Sequence, residues 1–179
     1  MSSTSVKTFA STDPGASALS GTAGSQLAIV KTCLVDGRGA GAVATLVVAA
    51  GIATATYAAG HPFAVGSVGL FAGATPVELN GEKRILSVST TAVTFAAPGV
   101  ADGAATGSIT SKLAAAGWQQ LYAGTNLAAL KPSVVEATGC VLRIDDTGTT
   151  NARVRAFEAM TDVSSGVGLT PLESQVAGG

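Results

Sequence analysis

The chain has 179 residues, and small side chains dominate it, with 34 alanines, 23 glycines and 21 threonines. Charged residues make up 12% and nearly cancel, which leaves a formal net charge of −1. This balance provides no basic field for nucleic acid or an anionic membrane, so direct DNA binding is excluded as a main activity. Val, Ile, Leu and Phe together number 43, about a quarter of the chain, which is enough apolar surface for a core, and the composition therefore predicts a folded protein.

Targeting and redox signals are weak. The first seven residues contain no apolar run after a basic start, which does not resemble a signal peptide, so we expect the protein to be made and kept in a cytoplasm. Cys33 and Cys140 lie far apart and are interpreted as buried thiols that pack as small hydrophobes. Residues 39–77 contain no Asp, Glu, Lys or Arg, but their Ala, Gly and Thr content argues against a membrane-spanning helix.

The first segment, residues 6–43, predicts a single helix. Leu27, Val30 and Leu34 recur at helical spacing over 25–35, with Ser25 as the expected N-cap and Asp36-Gly37 as the C-terminal stop. A short strand is expected at 6–9. The glycine-rich residues 37–41 lack the Lys-Ser/Thr pair of a phosphate-binding loop and are interpreted as a flexible turn.

The second segment, residues 44–113, is a succession of short β-type runs. Ala50-Gly51 separates two runs as a hairpin turn would, and Asn80-Gly81 is a second turn signal. Runs at this spacing predict a small barrel or sandwich. They cover residues 45–49, 52–57, 62–70, 75–81, 84–89, 92–96 and 106–112.

The third segment predicts further strands. Residues 118–122 form one, residues 127–131 form a strand or a short helix that ends at Pro132, and a hairpin joins 141–145 to 152–160. On that hairpin Arg153 and Arg155 share one face. The residues from Ser164 onward lack periodicity and are expected to be mobile unless a partner holds them.

Together these segments predict a mainly β protein with one short α-helix. A small β-sandwich or barrel module, residues 44–113, is inserted in a discontinuous α+β base domain of residues 1–43 and 114–168, with a flexible tail at 169–179. The predicted core consists of Leu27, Val30, Leu34, Val68, Ile85, Val88, Phe95, Ile109, Trp118, Val141, Ile144, Val154 and Phe157.

Residues that could carry chemistry are sparse. His61 is the only imidazole, and no Gly-x-Ser-x-Gly elbow accompanies it. It is interpreted as a turn histidine whose ring bonds to a backbone carbonyl. Tyr57, Trp118 and Tyr122 are too thinly spread for a stacking surface and are assigned to the core.

The carboxylates are candidates for acid–base work, but adjacent strand residues such as Asp145 and Asp146 point to opposite faces. Capping of the 146–151 turn is the simpler role for them, although a structural ion held with Asn151 stays open. Asp145 or Glu158 could pair across strands with an arginine. We therefore predict no catalytic, cofactor-binding or metal-binding residue; the other groups considered are Glu136, Asp162, Arg143, Arg153 and Arg155.

Short motifs in a fixed order resemble uncharacterised virion structural proteins of tailed bacteriophages and prophages, and the middle segment resembles a small β-module that recurs in phage structural proteins. The motifs cover most of the chain to about Gly168. They are Ala18–Gly24, Cys33–Gly37, Gly117-Trp118, Gly124–Asn126, Arg143–Thr147 and Arg153–Met160, and, in the module, Ala59–Gly66, Leu79–Gly81 and Val93–Gly99.

The resemblance implies a non-enzymatic virion protein, foremost a capsid-surface cement or decoration protein that contacts major capsid or tail subunits and its own copies, with no direct nucleic acid or membrane partner. A tail, neck or baseplate component is one alternative. A host-receptor or glycan-binding module is another, motivated by the loops at 60–63 and 98–103. An N-terminal arm and open sheet edges are the features expected to engage neighbouring subunits.

Overall fold

The computed structural model describes residues 3–135 and 137–170, which form two compact units. The barrel unit comprises residues 3–17 and 36–116, and the helix unit comprises residues 18–35 and 117–170. The middle segment therefore interrupts the helix unit, as a module inserted into a base would. It begins eight residues before the boundary expected at 44 and ends three residues after the one expected at 113. Residues 3–17 belong with it, although they were expected in the base domain.

The barrel unit is a single eight-stranded antiparallel sheet that curls into a half-barrel, so the expected β-barrel or sandwich character is confirmed. The strand order is β1-β8-β4-β5-β6-β3-β2-β7. The strands are β1 (Arg38–Ala42), β2 (Thr45–Ala49), β3 (Ile52–Thr56), β4 (Val68–Ala72), β5 (Gly81–Val88), β6 (Ala92–Ala96), β7 (Gly103–Ala104) and β8 (Thr110–Leu113).

The β2–β3 hairpin forms as predicted. Thr45 pairs with Thr56 and Ala49 with Ile52, which leaves a two-residue turn. Both turn residues have positive φ, 50° at Ala50 and 74° at Gly51, as a type I′ turn requires. The twist of a type I′ turn matches the twist of the flanking strands. Gly51, one of the two turn residues, adopts its positive φ without strain because glycine has no Cβ.

A continuous apolar cluster fills the barrel unit. Phe71 and Phe95 pack with ring centroids 4.6 Å apart, and Leu46 and Leu79 are almost fully buried beside them. Burying each such side chain stabilises the fold by about 1.5–3 kcal/mol. Leu79 lies in a 3₁₀ turn, Val77–Leu79, within a stretch expected to be a strand.

Three further local expectations for this unit were wrong. Residues 6–9 form no strand. They are held against the barrel unit by side-chain contacts rather than by backbone pairing with another strand. Residues 38–42 are β1 rather than a flexible turn, since β8 offers a pairing edge that Arg38 and Gly41 meet across a bulge. In the run at 62–70, the strand begins only at Val68.

The helix unit packs one helix on a four-stranded sheet of order β12-β11-β10-β9. Residues 127–131 belong to a strand, and the predicted hairpin pairs Val141 with Phe157 and Asp145 with Arg153. The elements are α1 (Ser25–Lys31), a π-helical turn (Thr32–Asp36), β9 (Trp118–Gly124), β10 (Leu127–Pro132), β11 (Val141–Asp145), β12 (Arg153–Phe157), β13 (Ala159–Met160) and β14 (Gly166–Val167).

Each face of this sheet carries its own apolar cluster. Leu130 and Ile144 lie under the helix side chains Leu27, Val30 and Leu34, with Trp118 at their edge. A second cluster on the opposite face contains Ala129, Val141, Phe157 and Met160. Alternation along β10 and β11 therefore serves two small cores rather than one core and one solvated face.

The N-terminus of α1 differs from the expectation. Gly24, not Ser25, is the N-cap, and the Ser25 hydroxyl donates instead to the Ser20 carbonyl. Gly24 has a φ of 87° and lies too close to Asn126 for a Cβ. The cap is supplied by Asp146, whose carboxylate accepts the Leu27 N–H at 2.9 Å and whose carbonyl accepts the Gly24 N–H at 2.8 Å.

Most of the predicted core is buried or packed against a core cluster, with two exceptions. Val88 pairs with the buried Val93 but ends its strand and stays 38% exposed. Val154 pairs with Ile144 but lies on the outer strand of the sheet, 43% exposed. Cys140 is also exposed rather than buried, and Cys33 is partly buried.

No helix within the described residues is long and apolar enough to span a membrane. The tail expected at 169–179 lies mostly outside these residues; Thr170, which is described, pairs with Ala156.

Asp146→Ala should lower the free energy of unfolding of the helix unit by about 1–2 kcal/mol, because the Leu27 N–H loses its charged acceptor. Asp146→Asn keeps an acceptor oxygen and should lose much less. Urea unfolding followed by Trp118 fluorescence measures both, since Trp118 packs in the cluster beneath α1. Equal losses in the two variants would contradict the capping role.

Candidate interaction surfaces

His61 is a structural histidine, as the sequence indicated. Its Nε2 lies 2.8 Å from the Ser89 carbonyl, and its Nδ1 lies 3.3 Å from the Phe63 N–H. The Ser89 carbonyl accepts a hydrogen bond and the Phe63 N–H donates one, so this pair of contacts fits the tautomer that carries its proton on Nε2. The imidazole also lies against Tyr57, with centroids 5.3 Å apart. Both ring nitrogens are thus engaged in holding the loop ahead of β4.

Asp145 and Asp146 stabilise different elements of the helix unit. Asp146 is 4% exposed and caps α1, so the expectation that it caps the following turn was wrong. Asp145 does cap that turn, because its Oδ1 accepts the Thr147 hydroxyl at 2.7 Å and the Thr147 N–H at 3.3 Å. The Asp145 carboxylate also meets Arg143 Nη2 at 3.3 Å, an ion pair within β11 rather than the expected pairing across strands.

The Thr147 hydroxyl, more than any other contact, holds the pKa of Asp145 below its ordinary value, and the Thr147 N–H and Arg143 add to the effect against a smaller cost of burial. The pKa of Asp162 is likewise lowered, by the N–H groups of Ser164 and Ser165 that its carboxylate accepts. Both carboxylates are therefore stabilised in the charged form that a turn needs.

The remaining candidates do not converge on one site. Glu136 lies outside the described residues. Within the described ranges, no three His, Cys, Asp or Glu side chains come together as metal ligands would. Glu158 donates its N–H to the Val167 carbonyl, and Asn151 lies in the turn near Gly148.

Part of the outer side of the half-barrel, over β6, β3, β2, β7 and the end of β5, is an uncharged surface, which we call the threonine face. Its eleven side chains share one side of five neighbouring strands and are exposed or half-exposed. Two hydroxyl pairs lie on it, Thr45 with Thr56 and Ser87 with Thr94, each at 2.6 Å. The members are Thr45, Val47, Ala49, Ile52, Thr54, Thr56, Ser87, Ala92, Thr94, Ala96 and Ala104.

The N-terminal arm, residues 3–17, is fastened to the barrel unit by charged side chains. The Arg84 guanidinium donates to the carbonyls of Ser3, Val6 and Gly66. Lys7 Nζ meets Glu82 at 3.0 Å. Further along the arm, Asp13 meets Arg38 at 2.8 Å, and Phe9 packs against the barrel core.

A pocket of about 370 Å³ opens beside this arm. Thr4 of the arm forms part of its rim, and Pro98 and Val100 supply apolar wall. Its cations are already engaged, Arg84 by carbonyls and Lys83 by the Glu78 carbonyl at 2.7 Å. Partial burial lowers the pKa of Lys83. The pocket thus forms where the arm crosses β5.

A buried polar pair stabilises the barrel interior. The Tyr57 and Ser111 hydroxyls lie 2.8 Å apart inside the sheet, and burial raises the pKa of Tyr57. The phenol therefore stays neutral there, as a satisfied core group.

Sequence reasoning missed the arm contacts, the helix cap and the threonine face as a surface. Alternation along 45–49, 52–56 and 92–96 carries the signal for the face, because every second residue is Thr, Val, Ala or Ile and none is charged. No sequence pattern predicts the arm contacts or the helix cap.

Comparisons with protein-family models, with curated protein sequences and with solved structures gave no match.

Thr147→Val should destabilise the protein at neutral pH and progressively less as the pH falls. The folded-state pKa of Asp145 lies below its unfolded value of about 3.9, so its contribution is present above that value and is lost as the pH falls toward the folded pKa. The effect is small because the carboxylate is largely solvated. Urea unfolding at neutral and strongly acidic pH measures it, with the exposed Thr149→Val as control; a pH-independent difference would exclude this linkage.

Arg84→Met should release the N-terminal arm, because the variant loses every hydrogen bond to Ser3 and Val6 carbonyls. We expect several-fold faster trypsin cleavage after Lys7, read by mass spectrometry of the released peptide. Lys131→Met, in the helix unit, is the control and should leave this rate unchanged. Unaltered cleavage of the Arg84 variant would mean that Lys7 and Phe9 suffice to hold the arm.

Proposed function

We propose that this chain is a non-enzymatic virion structural protein of a tailed bacteriophage, and that it acts as a capsid-surface cement or decoration protein. It contacts major capsid subunits and its own copies in many equivalent places. The observation that carries the proposal is the threonine face, together with the ordered motifs that resemble phage virion proteins.

The composition of the threonine face suits a protein interface. Folded proteins carry charge over much of their surface, whereas the centres of interfaces are depleted of it. Val47 is 41% and Ile52 38% exposed on this face, although both are strongly apolar. Burying them against another surface gains apolar contact with no charged group to desolvate.

Hydroxyl pairing lowers the cost of that burial. A hydroxyl that loses water without gaining a partner destabilises an interface. Thr45 already bonds to Thr56, and Ser87 to Thr94. The face can therefore be covered by a flat, apolar or small-residue surface while each of these four hydroxyls keeps one hydrogen bond.

The N-terminal arm, which was expected to engage neighbouring subunits, lies on its own barrel unit. Arg84 and Glu82 hold it there. We therefore assign the main contact with neighbours to the ordered sheet surface, where geometry is repeated identically in every copy.

A tail, neck or baseplate location is the alternative, and copy number separates it from the capsid surface. Two loops motivated the alternative of receptor or glycan binding. In the loop at 60–63, the Phe63 ring is buried, with 2% of the residue exposed. That ring cannot stack on a sugar.

Val47→Lys should reduce incorporation of the chain into phage particles at least about tenfold, because it places a charge at the centre of the threonine face. Val77→Lys is the matched control, since Val77 is 71% exposed in a turn outside this face. Quantitative mass spectrometry of purified particles, against the major capsid protein, gives the copy number.

The same count tests the function itself. Hundreds of copies of the unaltered chain per particle are expected for a cement protein. A few copies would move the chain to the neck or tail tip, and its absence from particles would refute the virion role.

A further inference from the structure

The two larger sheets have four outer strands, and three of them carry features that oppose pairing with another chain. β7 has only two residues, and β1 contains a bulge between Arg38 and Gly41. β12 exposes Arg153, and the Thr170 segment pairs with its Ala156. Short length, bulges, charge and a covering segment are the usual ways in which proteins block such edges.

The outer strand β9 differs from these three. It is seven residues long, Trp118–Gly124, and contains neither a charged residue nor a proline. Its one irregularity is the register shift opposite Ala129 and Leu130, which places a bulge at Leu121. The residues before it, 118–120, pair regularly with Pro132, Lys131 and Leu130 of β10.

The alternation of hydrogen-bonded pairs along β9 and β10 leaves some N–H and C=O groups of β9 pointing away from β10. Ser133 N–H donates to the Gly117 carbonyl at 2.9 Å, which makes Gln119 and Lys131, two residues further along, a hydrogen-bonded pair. The N–H and C=O groups of Trp118 and Gln120 therefore point away from β10. Outside the strand ladders, no residue that the structure describes forms a hydrogen bond with them.

We propose that β9 pairs antiparallel with β9 of a second copy, with Gln119 at the twofold axis. Trp118 then faces Gln120 of the second copy, and each such pair exchanges two backbone hydrogen bonds. The two four-stranded sheets become one continuous sheet. This contact rests on the proposed function, in which many copies of the chain contact one another. It can be measured on purified protein, without phage particles.

Charge selects a second copy as the occupant. An antiparallel β9 pair brings no like charges together, and the Gln119 amide can both donate to and accept from its own counterpart. Self-pairing of β12 would instead place arginines against arginines. Because the β9 edge carries no charged residue, it offers no ion pair that would favour a strand of another protein over a second copy of this chain.

The contact is small, so the association should be weak in solution, in the micromolar to millimolar range. Sedimentation velocity of the full chain between about 10 µM and 1 mM should show a monomer–dimer equilibrium. Gln120→Pro removes an N–H that points outward and should weaken dimerisation at least about tenfold, whereas Gln120→Ala keeps the N–H and should not.

Two charge variants at Gln119 distinguish loss of the dimer contact from misfolding of the chain. Gln119→Lys and Gln119→Glu should each be monomeric, because like charges meet at the axis, and an equimolar mixture should recover the dimer. Trp118 fluorescence and circular dichroism verify that each variant is folded. A monomer at every concentration would overturn the proposal, as would a dimer that all these variants leave unchanged. Either result leaves the particle copy number, and so the virion role, separately testable.

Discussion

Two-residue alternation along β2, β3 and β6 is the constraint on which the barrel unit depends. It sends Leu46, Val93 and Phe95 into the core and places Val47, Thr54 and Thr94 on the opposite side of the same strands. The core and the threonine face are therefore two consequences of one pattern. A shift of register by one residue would destroy both at once.

The helix unit depends on contacts between distant parts of the chain. A helix as short as α1 is not stable alone in water, so its stability must come from packing and capping. Leu27, Val30 and Leu34 provide the packing, and Asp146 provides the cap from 119 residues away along the chain. Asp146 directly follows β11, and its N–H donates to the Asn126 carbonyl, so helix and sheet are joined at this buried residue.

The polar groups of this chain are engaged in architecture. His61 closes a loop, Asp145 closes a turn, and Arg84 draws the arm onto β5. Each contributes on the order of 1 kcal/mol, as ordinary hydrogen bonds do. What the described surface presents outward is an uncharged sheet face and one unblocked strand edge, which are features suited to repeated contacts between proteins.

Local signals in the sequence determined a good part of this fold. Alternation predicted β2, β6 and β11, Ala50-Gly51 predicted the hairpin, and the spacing of Leu27 and Val30 predicted the helix, because each depends only on neighbours a few residues away. The tertiary structure alone decided which edge pairs with β1, what caps α1 and where the arm docks. Those outcomes depend on partners 25 to 119 residues distant, as for Arg38 with Asp13 and Leu27 with Asp146, and a local pattern carries no record of such a partner.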